Sequence, residues 1–433
     1  MASPLAGRSA VAPVPLPAEA SAGPQRPTLA RRLLLTLLLL AAARLTSWIP
    51  LPGIDPVGII RVTGQHWGSI LDVGSMGGML TWARLSIGAL GVTPYISAWI
   101  IVQFIAAFLP SARTVRATGG AGRNRIDVYI RYTTLGFALF QGFAVASAIE
   151  RIGGGGLPVV NEPGPFFLLV ATLSLAGSSL FLVWLGEQIS EFGIGYGVPL
   201  IIASGILVGL PRGIVNIVDL WRHEMYWQNG IVILLAAVAA TTFAALFIER
   251  ARYFIQIQSP RWQEAGSTIE GETTRYELGL NPAGIIPLLC LLVSGTVLSP
   301  NANSKFGGWA LWFSSWVEHH GPIYLALNIG LFMLTAIVLG RTAVDPMASA
   351  ARLQQRGLFI LGIRPGQDTA DYVGRVSTRL SLPGGTALCA LALLPGLVMA
   401  GLDLPGYPSG ISLLIVVITA MAIRTRLQSL AQE

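Results

Sequence analysis

The sequence predicts an all-α polytopic membrane protein with ten transmembrane helices. Of its 433 residues, 53% are hydrophobic and 11% are charged, whereas a soluble domain carries about 25% charged residues. Ten apolar segments follow one another along the chain, and a helix needs about 20 apolar residues to cross a bilayer. Because they lack the period-2 alternation of barrel strands, these segments favour helices.

The first apolar segment, 33–43, follows Arg31 and Arg32, a pattern typical of a secretory signal peptide cleaved near Ala43 or of an uncleaved first span. We favour the span, because nine further segments follow. Residues 1–28, rich in Pro, Ala and Ser, are predicted to form a disordered tail. The nine other segments run approximately over 85–109, 126–149, 164–186, 195–217, 229–248, 280–299, 321–340, 381–400 and 408–424.

The distribution of basic residues predicts the orientation of the chain. The sequence has 27 Arg and one Lys. Of these, 21 fall on the side of the N-terminus and six on the opposite side, while Arg44 lies within the first segment. Short cytoplasmic loops are the ones that retain Arg. The bias places both termini in the cytoplasm, which requires an even number of spans.

Three connections are unusual. The cytoplasmic loops at about 250–280 and 341–379 are long and contain Arg, so they either offer a basic surface to a soluble partner or merely set the topology. The stretch 64–82 on the outer side is rich in Gly. It is either a re-entrant segment or an ordinary outer loop.

The sequence lacks the patterns of the enzymes that we considered. His223-Glu224 has no second His at the spacing of a zinc protease, and the single lysine, Lys305, does not follow the glycines of a phosphate-binding loop. Cys290 and Cys389 lie in separate apolar segments and are interpreted as packing residues. We therefore predict no catalytic residue, no metal and no cofactor.

Proline interrupts several predicted spans together with small polar neighbours, at Pro94, Pro199 and Pro287. Broken helices in both halves of a chain are typical of a central pathway between two repeated bundles, although Pro and Gly are also common in ordinary membrane helices. Acidic residues are nearly absent from the spans, which argues against a proton-coupled transporter. A ten-helix secondary transporter remains the alternative function.

The same residues resemble the SecY family, the channel subunits of bacterial protein translocases. The motifs occur in the family's order and cover about 29–430. They are LARRL (29–33), SWIPLPGID (47–55), ALGVTPYISA (89–98), YIRYT (129–133) with Phe140-Gln141, WLGEQI (184–189), NPAGIIP (281–287), GIRPG (362–366), TRL (378–380) and SLLIVV (412–417).

This resemblance implies a channel of two inverted five-helix halves around a central pore, spanning 29–218 and 219–430, with a plug at about 64–82. At the constriction it implies a ring of apolar side chains that closes around an extended peptide and limits leakage of ions. The ring residues implied by the motifs are Ile96, Ile100, Val198, Ile202, Leu289 and Ile415.

The resemblance also implies a lateral gate toward lipid, between helices 2 and 3 on one side and helices 7 and 8 on the other. Ser97, Gln141 and Asn281 are its implied polar residues, although each could instead bond its own backbone. Arg364, Arg356 and Arg252 are the implied docking residues for a cytosolic driver.

The partners implied are SecE and SecG in the membrane, and the SecA motor or a translating ribosome on the cytoplasmic face. Unfolded preproteins are the implied substrates, which are moved across the bacterial plasma membrane or inserted into its lipid bilayer.

The chain departs from the family pattern at three places. Tyr196 stands between Gly195 and Gly197 where the family usually has Asn, close to the implied ring. The Pro-rich tail replaces a short amphipathic helix. The 250–280 loop lacks a dense basic cluster and carries four glutamates, Glu264, Glu270, Glu272 and Glu277. The changes at Tyr196 and in this loop are expected to weaken docking of the driver or to mark an accessory copy.

Overall fold

The structure, a computed structural model, describes residues 28–55, 85–108, 120–152, 160–222, 228–258, 273–291, 321–343, 346–401 and 410–432. Most of these residues are helical. The helices are α1 (Leu29–Leu45), α2 (Thr93–Phe108), α3 (Gly120–Ile152), α4 (Pro165–Phe192), α5 (Gly197–Arg222), α6 (Gln228–Arg250), α7 (described over 286–291), α8 (Gly321–Ala343), α9 (Pro346–Gln355), α10 (Gln367–Gly401) and α11 (Gly410–Gln432).

Five helices in the described part of the chain are long and apolar enough to cross a membrane. They lie within Ile87–Ala106, Arg125–Glu150, Pro165–Phe192, Gln367–Val398 and Gly410–Leu430. Shorter apolar helices occur at Gly197–Gly209 and Ala326–Gly340. The chain is therefore a polytopic helical membrane protein.

The total of ten spans stays a prediction, because predicted segments such as 280–299 extend past the described residues. The proposed plug at 64–82 also lies outside them, as does the predicted tail except for residue 28.

The prolines that the sequence places inside spans lie at helix starts. Pro94 is the second residue of α2, Pro199 the third residue of α5, and Pro287 the second described residue of α7. The first turn of a helix tolerates Pro because its N–H groups have no partner within the helix. Ahead of α2, the chain forms a short 3-10 helix at Ile87–Leu90. The second span is thus two helical pieces joined at residues 91–92.

The two long loops fold together into one small sheet, with strands β1 (Arg252–Gln258), β2 (Thr273–Gly279) and β3 (Phe359–Ile360) in the order β2-β1-β3. Both pairings are antiparallel, and Ile257 faces Thr274 on one side and Ile360 on the other. Helix α9 and the start of α10 cover the sheet. The buried core of this unit is Ile255, Ile257, Leu278, Leu353, Ile360 and Val373.

The main hydrophobic cluster runs through nine helices, all of the described ones except α3 and α9. Most helix contacts stay within residues 29–222 or within 228–432. Between these two groups, α5 packs on α11 and α6, and α2 packs on α8. The buried cluster therefore joins two groups of helices, and most other helix contacts are between members of the same group.

Candidate functional site

The six residues of the predicted ring lie in or against the main cluster. They come from α2, α5, α7 and α11, two helices from each helix group. Val198 is partly buried against the cluster. The others are almost fully buried, with exposed fractions of 3% for Ile96, 9% for Ile100, 1% for Ile202, 7% for Leu289 and 0% for Ile415.

Helical spacing explains how pairs of these side chains share a face. Ile96 and Ile100 are four residues apart on α2, as are Val198 and Ile202 on α5, and side chains at this spacing lie one above the other. Each pair therefore presents two apolar side chains on one face of its helix. Four helices thus bring branched side chains from distant parts of the sequence into one buried cluster.

Two of the three predicted gate residues are hydrogen-bonded to each other. Gln141 on α3 donates from Nε2 to Oγ of Ser97 on α2, over 3.2 Å. The Ser97 hydroxyl in turn donates to the Thr93 carbonyl oxygen at 3.0 Å. Oε1 of Gln141 is buried and finds no hydrogen-bond partner among the described residues. This polar pair is therefore only partly satisfied.

The third predicted gate residue, Asn281, makes different contacts. Its Nδ2 atom donates to Oε1 of Glu249 at 3.0 Å and to the carbonyl oxygen of Gly284 at 2.9 Å. Glu249 closes α6, and Asn281 leads into α7, so the bond joins two neighbouring elements of the C-terminal group. The structure therefore pairs Ser97 with Gln141 and Asn281 with Glu249.

Sequence reasoning did not single out Glu249. Its carboxylate lies among the basic residues of the α6–β1 connection, next to Arg250 and close to Arg252. An acidic residue directly at the end of an apolar segment was the available signal, but only the fold brings Asn281 to it across 32 residues.

The three predicted docking arginines are all exposed and all belong to the small sheet unit. Arg252 begins β1, Arg356 follows α9, and Arg364 lies in the loop between β3 and α10. The Arg364 loop is fixed to α10, because Thr369 donates from Oγ1 to the Arg364 carbonyl oxygen at 2.8 Å.

The surface around Arg364 carries both signs of charge. A cavity of about 300 Å³ next to it is lined by Gly362, Ile363, Arg364, Asp368, Asp371 and Arg375. The two carboxylates come from the first two turns of α10. A partner that docks here meets acidic as well as basic side chains, which the sequence analysis did not foresee.

The SecY family model matches residues 86–424, which is more than half of the chain. The chain belongs to the SecY family. SecY-family relatives include the protein translocase subunit SecY of Escherichia coli (strain K12), 35% identical over 93% of this chain and 91% of the relative. The Haemophilus influenzae subunit of the same name is 33% identical over 92% and 90%.

Solved structures share the SecY-family fold. One, described as the structure of a protein conducting channel, aligns with a TM-score of 0.64 over 94% of both chains at 15% identity. Sec61 in a canine ribosome-channel complex from the endoplasmic reticulum aligns with a TM-score of 0.60, again over 94% of both chains, at 14% identity. At these identities the likeness concerns the fold.

Proposed function

We propose that the chain is the channel subunit of a bacterial protein translocase, which moves unfolded preproteins across the plasma membrane and inserts membrane proteins into it. This proposal rests on one observation. Six apolar side chains from four helices pack in or against one buried cluster in a SecY-family fold. In this proposal the chain forms the passage for the polypeptide and catalyses no reaction. The energy for transport comes from a cytosolic partner.

The apolar ring suits a channel for polypeptides. Aliphatic side chains surround an extended chain without offering it a hydrogen bond or a charge to stop at, and a narrow apolar constriction resists wetting by ions and water. Because Ile96, Ile202 and Ile415 are buried in the structure, the described helices have no wide passage between them at this level. We interpret this arrangement as the resting, closed channel.

The contact of α2 with α8 is the proposed seam of the lateral gate. The Ser97–Gln141 bond lies on one side of this seam and the Asn281–Glu249 bond on the other. Hydrogen bonds between membrane helices are worth about 0.6–2 kcal/mol each. Neither bond crosses the seam; each orders one wall of the proposed gate, and water that enters when the gate opens competes with it.

We propose the Arg364 loop as the docking site for the cytosolic driver, either the SecA motor or a ribosome, with Arg356 and Arg252 on the same unit. Exposure of all three arginines supports this assignment. SecE and SecG are the proposed membrane partners. Both termini are proposed to lie in the cytoplasm, on the side of the sheet unit.

Photocrosslinking tests the proposed function. A preprotein is stalled halfway by a folded domain at its C-terminus, and a photoreactive amino acid replaces Ile96, Ile202 or Ile415 in turn. We expect adducts with the preprotein from each position. The control position is Phe247 on α6, which is 77% exposed and lines a groove with Ala387 and Leu391 of α10 that includes none of the ring residues; it should react with lipid. Adducts from Phe247 alone, or from none of the ring positions, would contradict a central channel and favour the transporter alternative.

A further inference from the structure

Helix α11 presents one buried face to its neighbours and packs on α5, α6 and α10. The buried side chains of this face are Leu414, Ile415, Ile418 and Thr419. Their spacing of one and four residues is that of a single helical stripe. Three of them are aliphatic, and Ile415 belongs to the proposed ring. Thr419 is the polar member of the stripe, although it is only 4% exposed.

The hydroxyl of Thr419 has no hydrogen-bond partner among the described residues, and its Oγ1 atom is buried. Other buried threonines are satisfied within their own helix. Thr134 on α3 and Thr241 on α6 each donate to the carbonyl oxygen four residues earlier, both at 2.7 Å. Thr419 does not make the corresponding bond to Ile415. Because a buried hydroxyl without a partner is unfavourable, this side chain is stabilised by any donor or acceptor that reaches it.

Thr419 lies on the side of α11 that carries the ring residue. Ile415 precedes it by four residues and belongs to the main cluster, and Ile423 follows it by four residues. A Cβ atom added to Gly195, in the turn before α5, would lie 3.8 Å from Cγ1 of Ile423. With a rise of 1.5 Å per residue, Thr419 is about 6 Å along the helix axis from each isoleucine. Residues four apart lie one above the other, so the hydroxyl continues the stripe of Ile415 toward the α4–α5 turn.

We propose that Thr419 is a contact residue for the backbone of the moving polypeptide, one helical turn from the ring toward the C-terminus. This inference rests on the proposed function. An extended chain in the channel has backbone N–H and C=O groups that need partners, and a hydroxyl can donate as well as accept. Each passing residue offers Thr419 a new partner about every 3.3–3.6 Å. The contact is therefore independent of the preprotein sequence and passes from one residue to the next.

The same contact favours opening of the channel. In the closed state the Thr419 hydroxyl is buried without a partner in the described structure. In the occupied state it is hydrogen-bonded to the passing chain. Thr419 therefore destabilises the closed state relative to the occupied one, whereas the aliphatic side chains beside it favour burial.

Photocrosslinking tests the position of Thr419. The stalled preprotein described above is used, with the photoreactive amino acid at Ile415, Thr419 or Ala420 in turn. Ala420 is the matched control, because it lies at nearly the same depth but is exposed on another side of α11. We expect preprotein adducts from positions 415 and 419 and none from position 420.

Export of a reporter protein with a weakly apolar signal sequence tests the hydroxyl itself. Thr419→Val replaces the hydroxyl by a methyl group, so the shape of the side chain is kept while its donor and acceptor are lost. Export should fall about fivefold, because the closed state loses an unsatisfied hydroxyl and the passing chain loses a partner. Thr419→Ser keeps the hydroxyl and should export like wild type.

The matched control for export is Thr172→Val on α4. It makes the same chemical change at another buried hydroxyl without a partner in the described structure, but Thr172 packs against Gly142 of α3 and not against α11. Export by this variant should equal that of wild type. The amount of inserted channel is measured in every variant, so that export is compared per channel.

Adducts from position 415 without adducts from 419, equal adducts from 419 and 420, or unchanged export by Thr419→Val would overturn the role of Thr419 and leave the channel intact. A fall in Thr419→Ser or Thr172→Val as large as that in Thr419→Val would also overturn it, because packing and not the hydroxyl would then be responsible. The absence of adducts from both 415 and 419 would overturn the proposed function itself, and the role of Thr419 with it.

Discussion

Gln141→Leu is expected to hold the lateral gate closed. In the structure Nε2 of Gln141 bonds Ser97, while Oε1 is buried without a partner among the described residues. When the gate opens, that oxygen gains access to water. The wild-type side chain therefore destabilises the closed state relative to the open one, and an apolar side chain of similar length removes this effect.

The size of the effect follows from two opposing contributions. A buried polar atom without a partner costs about 1–3 kcal/mol, and the lost bond to Ser97 was worth about 0.6–1 kcal/mol. The difference favours the closed gate by about 1 kcal/mol, which lowers the open population about fivefold. Ser97→Ala has the opposite sign, because it leaves the whole amide of Gln141 without a side-chain partner in the closed state.

The assay is export of a reporter protein with signal sequences of graded leucine content. In the Gln141→Leu variant, export from a weakly apolar signal should fall about fivefold, while a strongly apolar signal should still work. Ser97→Ala should export the weak signal better than wild type. The matched control is Thr172→Val on α4, which also removes a buried polar atom without a partner in the described structure. Thr172 packs against Gly142, next to Gln141, but belongs to neither helix of the α2–α8 seam, so this variant reports local changes in packing.

Equal export of the weak signal by wild type and the Gln141→Leu variant would refute the reasoning, because the closed state would then not depend on this amide. A similar fall in the Thr172→Val variant would show that general stability, and not the gate, was measured.

Three further predictions concern other parts of the chain. Arg364→Glu should abolish export while insertion and the membrane partner are retained, because charge reversal opposes docking; normal export would remove Arg364 from the site. Replacing both Ile96 and Ile202 by Ser should raise ion conductance in planar bilayers, and unchanged conductance would contradict the ring. Gly197→Ala should prevent accumulation of folded protein, because Cβ collides with the Gly186 carbonyl oxygen on α4; a normal yield after detergent extraction would contradict this close approach of α5 to α4.

The membrane fold was accessible from the sequence because lipid imposes a strong condition on every span. Long apolar segments have no other stable structure than helices, so composition and segment length were sufficient. The ring residues, in contrast, were implied only by the motifs of the family, although the four-residue spacing of Ile96 with Ile100, and of Val198 with Ile202, is consistent with shared helix faces. That the four helices converge on one cluster required the resemblance to a family, because no local pattern records which helices are neighbours.

The sheet unit was missed although a local signal was present. In β1 the side chains alternate between Ile255, Gln256, Ile257 and Gln258, which is the period of a half-buried strand. The sequence analysis treated this stretch as a basic connection and considered only its charge. The partner strand β3 lies about 100 residues later and has two residues, so the pairing itself could not be predicted.

The gate residues illustrate the limit of motif-based reasoning. Ser97 and Gln141 are bonded as a pair, but Asn281 is bonded to Glu249 and Gly284. A motif identifies a polar side chain at a given position, whereas the choice of partner depends on competition among nearby donors and acceptors. That competition is decided by tertiary geometry, which a single sequence does not contain.

The sheet unit gives the proposed docking site a physical connection to the proposed gate. Arg364 follows β3 by four residues, β3 pairs with β1, and β1 pairs with β2 along its full length. β2 ends at Gly279, two residues before Asn281 and the start of α7. Because Glu249 at the end of α6 bonds Asn281, both ends of the β1–β2 hairpin meet at that hydrogen bond. If the proposed driver displaces the Arg364 loop, we expect the displacement to reach the start of α7 along this covalent and hydrogen-bonded path.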